Sequence, residues 1–249
     1  MYLVKTPFWL RWLYPSLTWR IPGNEKTIYL TFDDGPIPVV TPFVLETLKK
    51  FGARATFFCI GDNVRKHPAI YREVIAAGHQ TGNHTFHHLK GWDTEDEKYL
   101  ENVRMCADLV DSPLFRPPYG RGRRSQYRQL IAGTGPVKRP FRIIMWDVLS
   151  GDFDTKLNPE DCLENVVRHT GPGSIVVFHD SLKAFERLEY VLPRALEFWQ
   201  SRGYTFKALI EMASKLILRG IPLSICRFFC IFAWTFFEFT QIYFSLQIQ

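Results

Sequence analysis

No Cys-x-x-Cys pair and no Cys/His zinc-finger spacing occurs in these 249 residues. The five cysteines, Cys59, Cys106, Cys162, Cys226 and Cys230, are an odd number, which argues against a fully paired disulfide framework and leaves reduced, mostly buried thiols as the expectation. A secretory signal is not expected either. Arg11 interrupts the aromatic opening formed by Trp9, Trp12, Tyr14 and Trp19, and no small-residue cleavage site follows. The first stretch, 1–25, is therefore expected to be an aromatic lead-in packed on the domain, with interfacial anchoring as the alternative. Without an export signal and with unpaired cysteines, the chain is expected in the cytoplasm or at a membrane. Dense runs of one charge are absent too: the 31 Lys and Arg are spread along the chain, and only Arg121, Arg123 and Arg124 cluster, as a solvated loop would. A net charge of +6 suits an anionic polymer but does not by itself indicate nucleic acid, and no nucleic-acid partner is expected.

What is present is a regular alternation. Short apolar runs at 28–32, 55–60, 79–82, 114–116, 141–146, 174–178 and 204–206 read as strands. Between them, helical patterns fall at 41–51, 68–77, 94–110, 125–131, 159–169 and 188–202, with Gly52 and Gly78 as stops and Thr94/Glu97 as a capping box. Strands alternating with helices imply a parallel sheet covered on both faces. Seven such units close most economically as a barrel, with polar residues gathered at the C-terminal strand ends. The domain is drawn at 26–212. The tail, 213–249, changes composition: after Gly220 only Arg227 and Glu238 are charged, and the ten residues between them fall short of the roughly 20 needed to cross a bilayer. Association of 221–248 with a membrane and packing of an apolar appendage on the domain both remain open.

Five stretches carry candidate chemistry. Thr31-Phe32-Asp33-Asp34-Gly35-Pro36 puts two carboxylates at a strand end, where both persist as charges only if a cation stands beside them. His84-Thr85-Phe86-His87-His88 spaces His84 and His88 so that a helical turn would place them on one face and let them chelate one divalent ion, leaving His87 a bystander. Phe115-Arg116-Pro117-Pro118-Tyr119-Gly120 is a rigid strand exit that could present a cation and a free backbone N–H. Asp147, Asp152 and Asp154 follow the fifth strand, and His179 ends the sixth, where proton transfer near neutral pH would be in reach. Each alone has a plain structural reading as a turn, a surface pair or a solvated acid.

Together, in this order, the five stretches resemble the polysaccharide deacetylase family, the NodB-homology or family 4 carbohydrate esterase domain, over about 26–209. The resemblance implies a distorted (β/α) barrel of about seven parallel strands, of the glycoside hydrolase/deacetylase type. It also implies an N-deacetylase acting on an N-acetylated glycan such as peptidoglycan or a chitin-like oligosaccharide. By position, Asp33 corresponds to the general base and Asp34, His84 and His88 to the ligands of a divalent metal. Zinc is expected there, with cobalt, nickel or manganese fitting similar geometry. Arg116 matches the partner of the base, Tyr119 the backbone donor to the oxyanion, and His179 the general acid. Asp152 matches the residue that tunes that acid, with Asp154 as the alternative. Phe153 stands where the family often has tryptophan, keeping an apolar wall but lacking the indole N–H. Rival readings are an O-acetyl glycan esterase, a small-molecule amidase or imidase, and a catalytically silent, membrane-associated glycan-binding domain.

Overall fold

The computed structural model describes residues 2–23 and 25–209, of which Val4–Leu209 form one compact unit. The expectations for 210–249, including the tail, lie outside the described residues. In chain order the elements are α1 (Phe8–Leu13), β1 (Thr27–Asp33), α2 (Val40–Lys50), β2 (Ala55–Cys59), α3 (Gly61–Lys66), α4 (Pro68–Ala76), β3 (Gln80–Asn83), α5 (Asp96–Ala107), β4 (Leu114–Phe115), α6 (Arg124–Ala132), β5 (Arg142–Ile143), β6 (Val148–Leu149), α7 (Pro159–His169), β7 (Ile175–His179), α8 (Phe185–Ser201) and β8 (Thr205–Phe206).

Seven strands pair in parallel in the order β5-β4-β3-β2-β1-β7-β6, and β8 joins the start of β1. β1 is the centre. All seven of its residues are buried, as expected for an apolar strand covered on both faces. Because side chains alternate, its two faces do different work. Phe32 stacks between Phe57 of β2 and Phe178 of β7, with ring centroids 5.1 and 5.8 Å away. With Ile28 and Leu30, Phe32 belongs to the core shared with Val44 and Leu48 of α2 and Leu188, Leu192 and Leu196 of α8. Thr31 and Asp33 point the other way, where one nitrogen of Arg116 reaches both.

The sheet curls without closing on itself: β5 and β6 are not paired to each other in the strand order. The N-terminal segment runs along both edges instead. Lys5 bridges antiparallel to Val148 and Thr18 parallel to Ile144, while Thr6 donates its N–H to the Asp147 carbonyl at 2.9 Å. Leu17, Trp19 and Ile21 are buried there, but α1 leaves Phe8 and Trp12 78% and 70% exposed.

Local readings that relied on caps and stops hold closely, and others shift. α7 begins beside Asn158, whose side chain accepts the Asp161 N–H at 2.7 Å. The expected Thr94/Glu97 box does not form. The Thr94 hydroxyl donates to the Lys90 carbonyl at 2.8 Å, and α5 starts at Asp96 with Glu95 as its cap. The single strand expected over 141–146 shortens to β5, and after a break an unexpected short strand, β6, follows beyond its expected end. Within the break the Ile144 and Met145 carbonyls accept from the Arg116 guanidinium at 3.2 and 3.1 Å. That backbone has turned from the ladder toward a buried cation. Cys59, Cys106 and Cys162 are buried free thiols. No helix among the described residues is long and apolar enough to cross a membrane.

Candidate active site

β1 ends on Asp33, and the chain then breaks sharply. Asp34 adopts φ 87°, a conformation that costs a non-glycine residue energy unless its surroundings enforce it. They do so at both of its backbone groups. Its N–H donates to the Phe58 carbonyl at 3.3 Å, and its carbonyl accepts from Asn63 Nδ2 at 2.7 Å. The two neighbouring carboxylates thereby separate. Asp33 turns inward, 4% exposed, onto Arg116, while Asp34 faces the histidine loop.

Arg116 leaves β4 fully buried. Its Nη1 donates to Asp33 Oδ1 at 2.7 Å and to Thr31 Oγ1 at 2.8 Å, and its plane lies over the Phe58 ring at 4.1 Å. Burial pulls the guanidinium below its ordinary pKa, and Asp33 opposes that pull. The ion pair and four hydrogen bonds satisfy the charge in a site where an unpaired cation would be very costly. Three residues on, Tyr119 takes φ 59° within the Pro118–Gly120 turn, and its ring sits 4.7 Å from that of His88.

His84 and His88 converge, but not on a helical turn. Thr85 and His88 are left-handed, at φ 63° and 56°, and side-chain amides hold the loop. Asn83 Oδ1 accepts the Thr85 N–H at 2.9 Å, and Asn102 Oδ1 accepts those of Phe86 and His87, both at 2.9 Å. The imidazole centroids lie 5.0 Å apart, with His88 Nε2 3.3 Å and His84 Nε2 3.8 Å from Asp34 Oδ1. His87 turns away onto Asn102 Nδ2, at 2.8 Å.

Several observations bear on whether this trio suits a metal. One ligand atom from each residue lies within 4.8 Å of the others. Asp34 Oδ1 is buried and accepts no hydrogen bond among the described residues. His84 Nδ1 stands 2.8 Å from the Arg116 carbonyl, so it carries the proton and leaves the Nε2 lone pair toward Asp34. Burial first, then His88, drives the His84 pKa down to about 3, and burial also lowers that of His88. Both rings are therefore neutral at pH 7, as ligands must be. A two-nitrogen, one-oxygen donor set with an orphaned carboxylate oxygen fits a divalent cation of the zinc type.

His179 ends β7. Asp152 grips it twice: Oδ1 lies 2.8 Å from Nδ1, and Oδ2 accepts the backbone N–H at 2.8 Å. Burial alone would lower the imidazole pKa, but Asp152, aided by Asp34 and Asp33, outweighs it and raises the value to about 9. Asp154 does not share this role. Its carboxylate accepts from the Lys156 N–H, on the exposed side. Asp147 is taken up by Lys5 at 2.7 Å and Ser174 at 2.6 Å. The Phe153 ring meets His179 edge to face at 5.1 Å.

Three partners have no signal in the motifs, and Thr31 opens one without its role being legible there. Thr31, Asn63 and Asn102 are ordinary residue types whose roles depend on contacts far along the chain. Asp180, beside His179, is fully buried: it accepts the Gly35 N–H at 2.9 Å and the Thr41 hydroxyl at 2.6 Å. Burial lifts its pKa to about 8.

A curled (β/α) sheet whose C-terminal strand ends bring together an Asp/His/His cluster, a carboxylate paired to arginine and a histidine paired to aspartate has the make-up of a hydrolase site. Residues 20–135 match the polysaccharide deacetylase family. The chain is 33% identical over 203 residues to a peptidoglycan-N-acetylglucosamine deacetylase of Bacillus cereus, covering 79% of this chain and 92% of that one. It is 32% identical over 215 residues to a chitooligosaccharide deacetylase of Azorhizobium caulinodans, covering 82% and 95%. A crystal structure of a peptidoglycan N-acetylglucosamine deacetylase in complex with a substituted benzamide superposes with a TM-score of 0.71 at 26% identity, covering 83% and 96%. The chain belongs to the polysaccharide deacetylase family.

Proposed function

We propose that the protein is a metal-dependent N-deacetylase that hydrolyses the acetamide of an N-acetylated glycan, peptidoglycan or a chitin-like oligosaccharide. The observation that carries this reading is the buried Asp34 oxygen facing two neutral imidazoles beside a paired carboxylate and a protonated histidine. Asp34, His84 and His88 would hold a divalent ion, zinc by preference, which supplies a Lewis acid for the acetyl carbonyl and for water. Asp33 is the general base. Arg116 pairs with it and aims it, so that it takes the proton of the attacking water. The Tyr119 N–H donates to the oxyanion as the carbonyl carbon becomes tetrahedral, a contribution of about 3 kcal/mol for donors of this kind.

An amide needs one further step. The leaving nitrogen departs as an amine only if protonated, and His179, held as a cation by Asp152, gives that proton. This favours an N-acetyl over an O-acetyl substrate, because an alkoxide leaving group needs less help. Similarity to deacetylases of peptidoglycan and of chitooligosaccharides supports the same substrate class.

The test measures acetate release from chitooligomers and peptidoglycan fragments together with zinc content. Asp33→Asn is expected to lose at least about a hundredfold in kcat, within the usual range for a general base, while retaining zinc. His84→Ala is expected to lose the zinc. Near-normal turnover by Asp33→Asn would sink the assignment of roles. His179→Ala retaining most activity on O-acetylated xylan would favour the esterase.

A further inference from the structure

Among the described residues, Asp180 is a fully buried carboxylate at the strand ends that the proposed mechanism leaves unused. It follows His179, which pairs in parallel with Asp33 at the end of β1, and its N–H donates to the Asp33 carbonyl at 3.0 Å. Its side chain returns to the segment after Asp34. Oδ1 accepts the Gly35 N–H at 2.9 Å, and Oδ2 accepts the Thr41 hydroxyl at 2.6 Å. Thr41 Oγ1 in turn accepts the Ile37 N–H at 2.9 Å. One carboxylate thus ties Gly35 directly, and Ile37 through Thr41, to the first turn of α2.

Position 35 reports how tight this packing is. A Cβ on Gly35 would stand 1.9 Å from Asp180 Oδ2, and no positive φ is involved. Glycine is needed there for space against Asp180, not for backbone freedom. Asp34 itself, at φ 87°, is fixed on its N-terminal side by the Phe58 carbonyl, and the peptide that follows it is held at both ends, its carbonyl by Asn63 and its N–H by Asp180. A conformation of this kind persists only where its surroundings over-determine it.

We propose that Asp180 is a positioning residue whose carboxylate clamps the turn after Asp34 and thereby aims Asp34 Oδ1 at His84 and His88. The inference rests on the metal-centre reading of the proposed function. It assigns Asp180 no contact with substrate or metal. Its effect is transmitted through the Gly35 amide and the Thr41 hydroxyl. Partners that orient a metal ligand without touching the metal typically change metal affinity or activity by about 10- to 100-fold when removed.

The experiment is zinc titration against a chromophoric chelator, alongside acetate release from a chitooligomer and circular dichroism, on wild type, Asp180→Ala, Asp180→Asn and Thr41→Val. Asp180→Ala is expected to weaken zinc binding about tenfold or more, with kcat falling in step and KM little changed. Asn keeps an oxygen for Gly35, so Asp180→Asn should recover most of that loss, and Thr41→Val should lose a few-fold. Zinc affinity of folded Asp180→Ala within twofold of wild type would overturn the proposal, as would Asn performing no better than Ala. If Asp180→Ala does not fold, Thr41→Val decides: unchanged zinc affinity overturns the clamp, and a few-fold loss supports it. A wild type that binds no zinc would overturn the metal centre and this inference together. A wild type that binds zinc and deacetylates, with indifferent Asp180 variants, would overturn this inference alone.

Discussion

His179 is partly buried and His79 buried, and their surroundings push them in opposite directions. Asp152 lifts the first to about 9, whereas burial drops the second to about 4, with Arg54 adding to the fall. For His179 the consequence is kinetic. As an acid it works only while protonated, so kcat/KM on an N-acetylated oligomer should fall as pH rises through its pKa. Asp34 and Asp33 contribute to the rise, and a cation on Asp34 would offset part of it, so the alkaline limb should lie at or below about 9. Asp152→Asn should move that limb to lower pH and reduce kcat. A pH–rate profile in which the variant's alkaline limb stays at the wild-type position would contradict the tuning role.

For His79 the consequence is thermodynamic. Its Nδ1 accepts the Ala55 N–H at 3.2 Å, which requires a neutral ring. The folded value lies below the unfolded one, so the unfolded chain takes up the proton first. The stabilisation is complete above about pH 6.5 and is lost as pH falls toward 4. Its size is on the order of 2 kcal/mol, allowing for relaxation around the ring. Urea unfolding of wild type and His79→Gln at pH 7 and pH 5 measures it: the wild type should lose its advantage at the lower pH, and a pH-independent difference would refute the linkage.

At the scale of elements, α7 shows what a cap contributes. Asn158 accepts the Asp161 N–H, Pro159 opens the helix, Glu160 and Asp161 sit in its first turn, and Arg168 and His169 sit in its last. Every one of these choices agrees with the helix dipole and with the orphan N–H groups of the first turn. α7 also supports the site, because Asn165 Nδ2 donates to the Ser150 carbonyl at 3.0 Å, two residues before Asp152. Asn158→Ala should lower stability by about 1 kcal/mol in chemical denaturation. Since Asn165 lies further along the helix, kcat should be unchanged in the folded variant.

The same element explains why some boundaries could be read from the sequence and others could not. Asn158-Pro159 is a local signal, and its partner is three residues away. Thr94 carries an equally good local signal, yet its hydroxyl is spent on the Lys90 carbonyl, and α5 starts later. β6, two residues long, is defined by pairing with β7 and by Lys5, which sits 143 positions earlier, and no periodicity can develop over two residues. The site divides in a similar way. Asp33, Asp34, His84, His88, Arg116, Asp152 and His179 stand out because their types are chemically loaded and fall at strand ends. Asp180 and Asn63 are silent because their partners, Gly35, Thr41 and the Asp34 carbonyl, become neighbours only when β1, β2 and β7 align. His84 and His88 converge through a loop held by Asn83 and Asn102, although their spacing alone suggests a helical turn.

Across the whole molecule, the open side of the curled sheet is the structural problem, and the segment 4–20 is the answer to it. An uncovered edge presents unpaired backbone groups, and β5 and β6 are both edges. Val4 and Thr6 supply backbone partners to Leu149 and Asp147, Thr18 to Ile143 and Met145. The seal is also electrostatic. Asp147 is fully buried and accepts from Ser174 at 2.6 Å, and its charge is met by Lys5 Nζ at 2.7 Å, with Arg11 more distant at 3.8 Å. Lys5 Nζ additionally donates to the His169 carbonyl at 2.8 Å, so a single side chain joins the N-terminal segment, the residue leading into β6 and the end of α7. Lys5→Met removes the nearest cation and leaves a buried carboxylate. Deleting one partner of a buried pair costs about 3–5 kcal/mol, and the one-third exposure of Lys5 brings the expected loss to about 2 kcal/mol. Because the Asp147 carboxylate is spent on this seal, with its partners on Lys5, Arg11 and Ser174, turnover of the folded variant on a chitooligomer at low temperature should match wild type. Urea unfolding at pH 7 tests the first half and acetate release the second. A variant as stable as wild type would mean that backbone pairing alone seals the sheet, whereas a stable but inactive variant would place Lys5 in the working of the site.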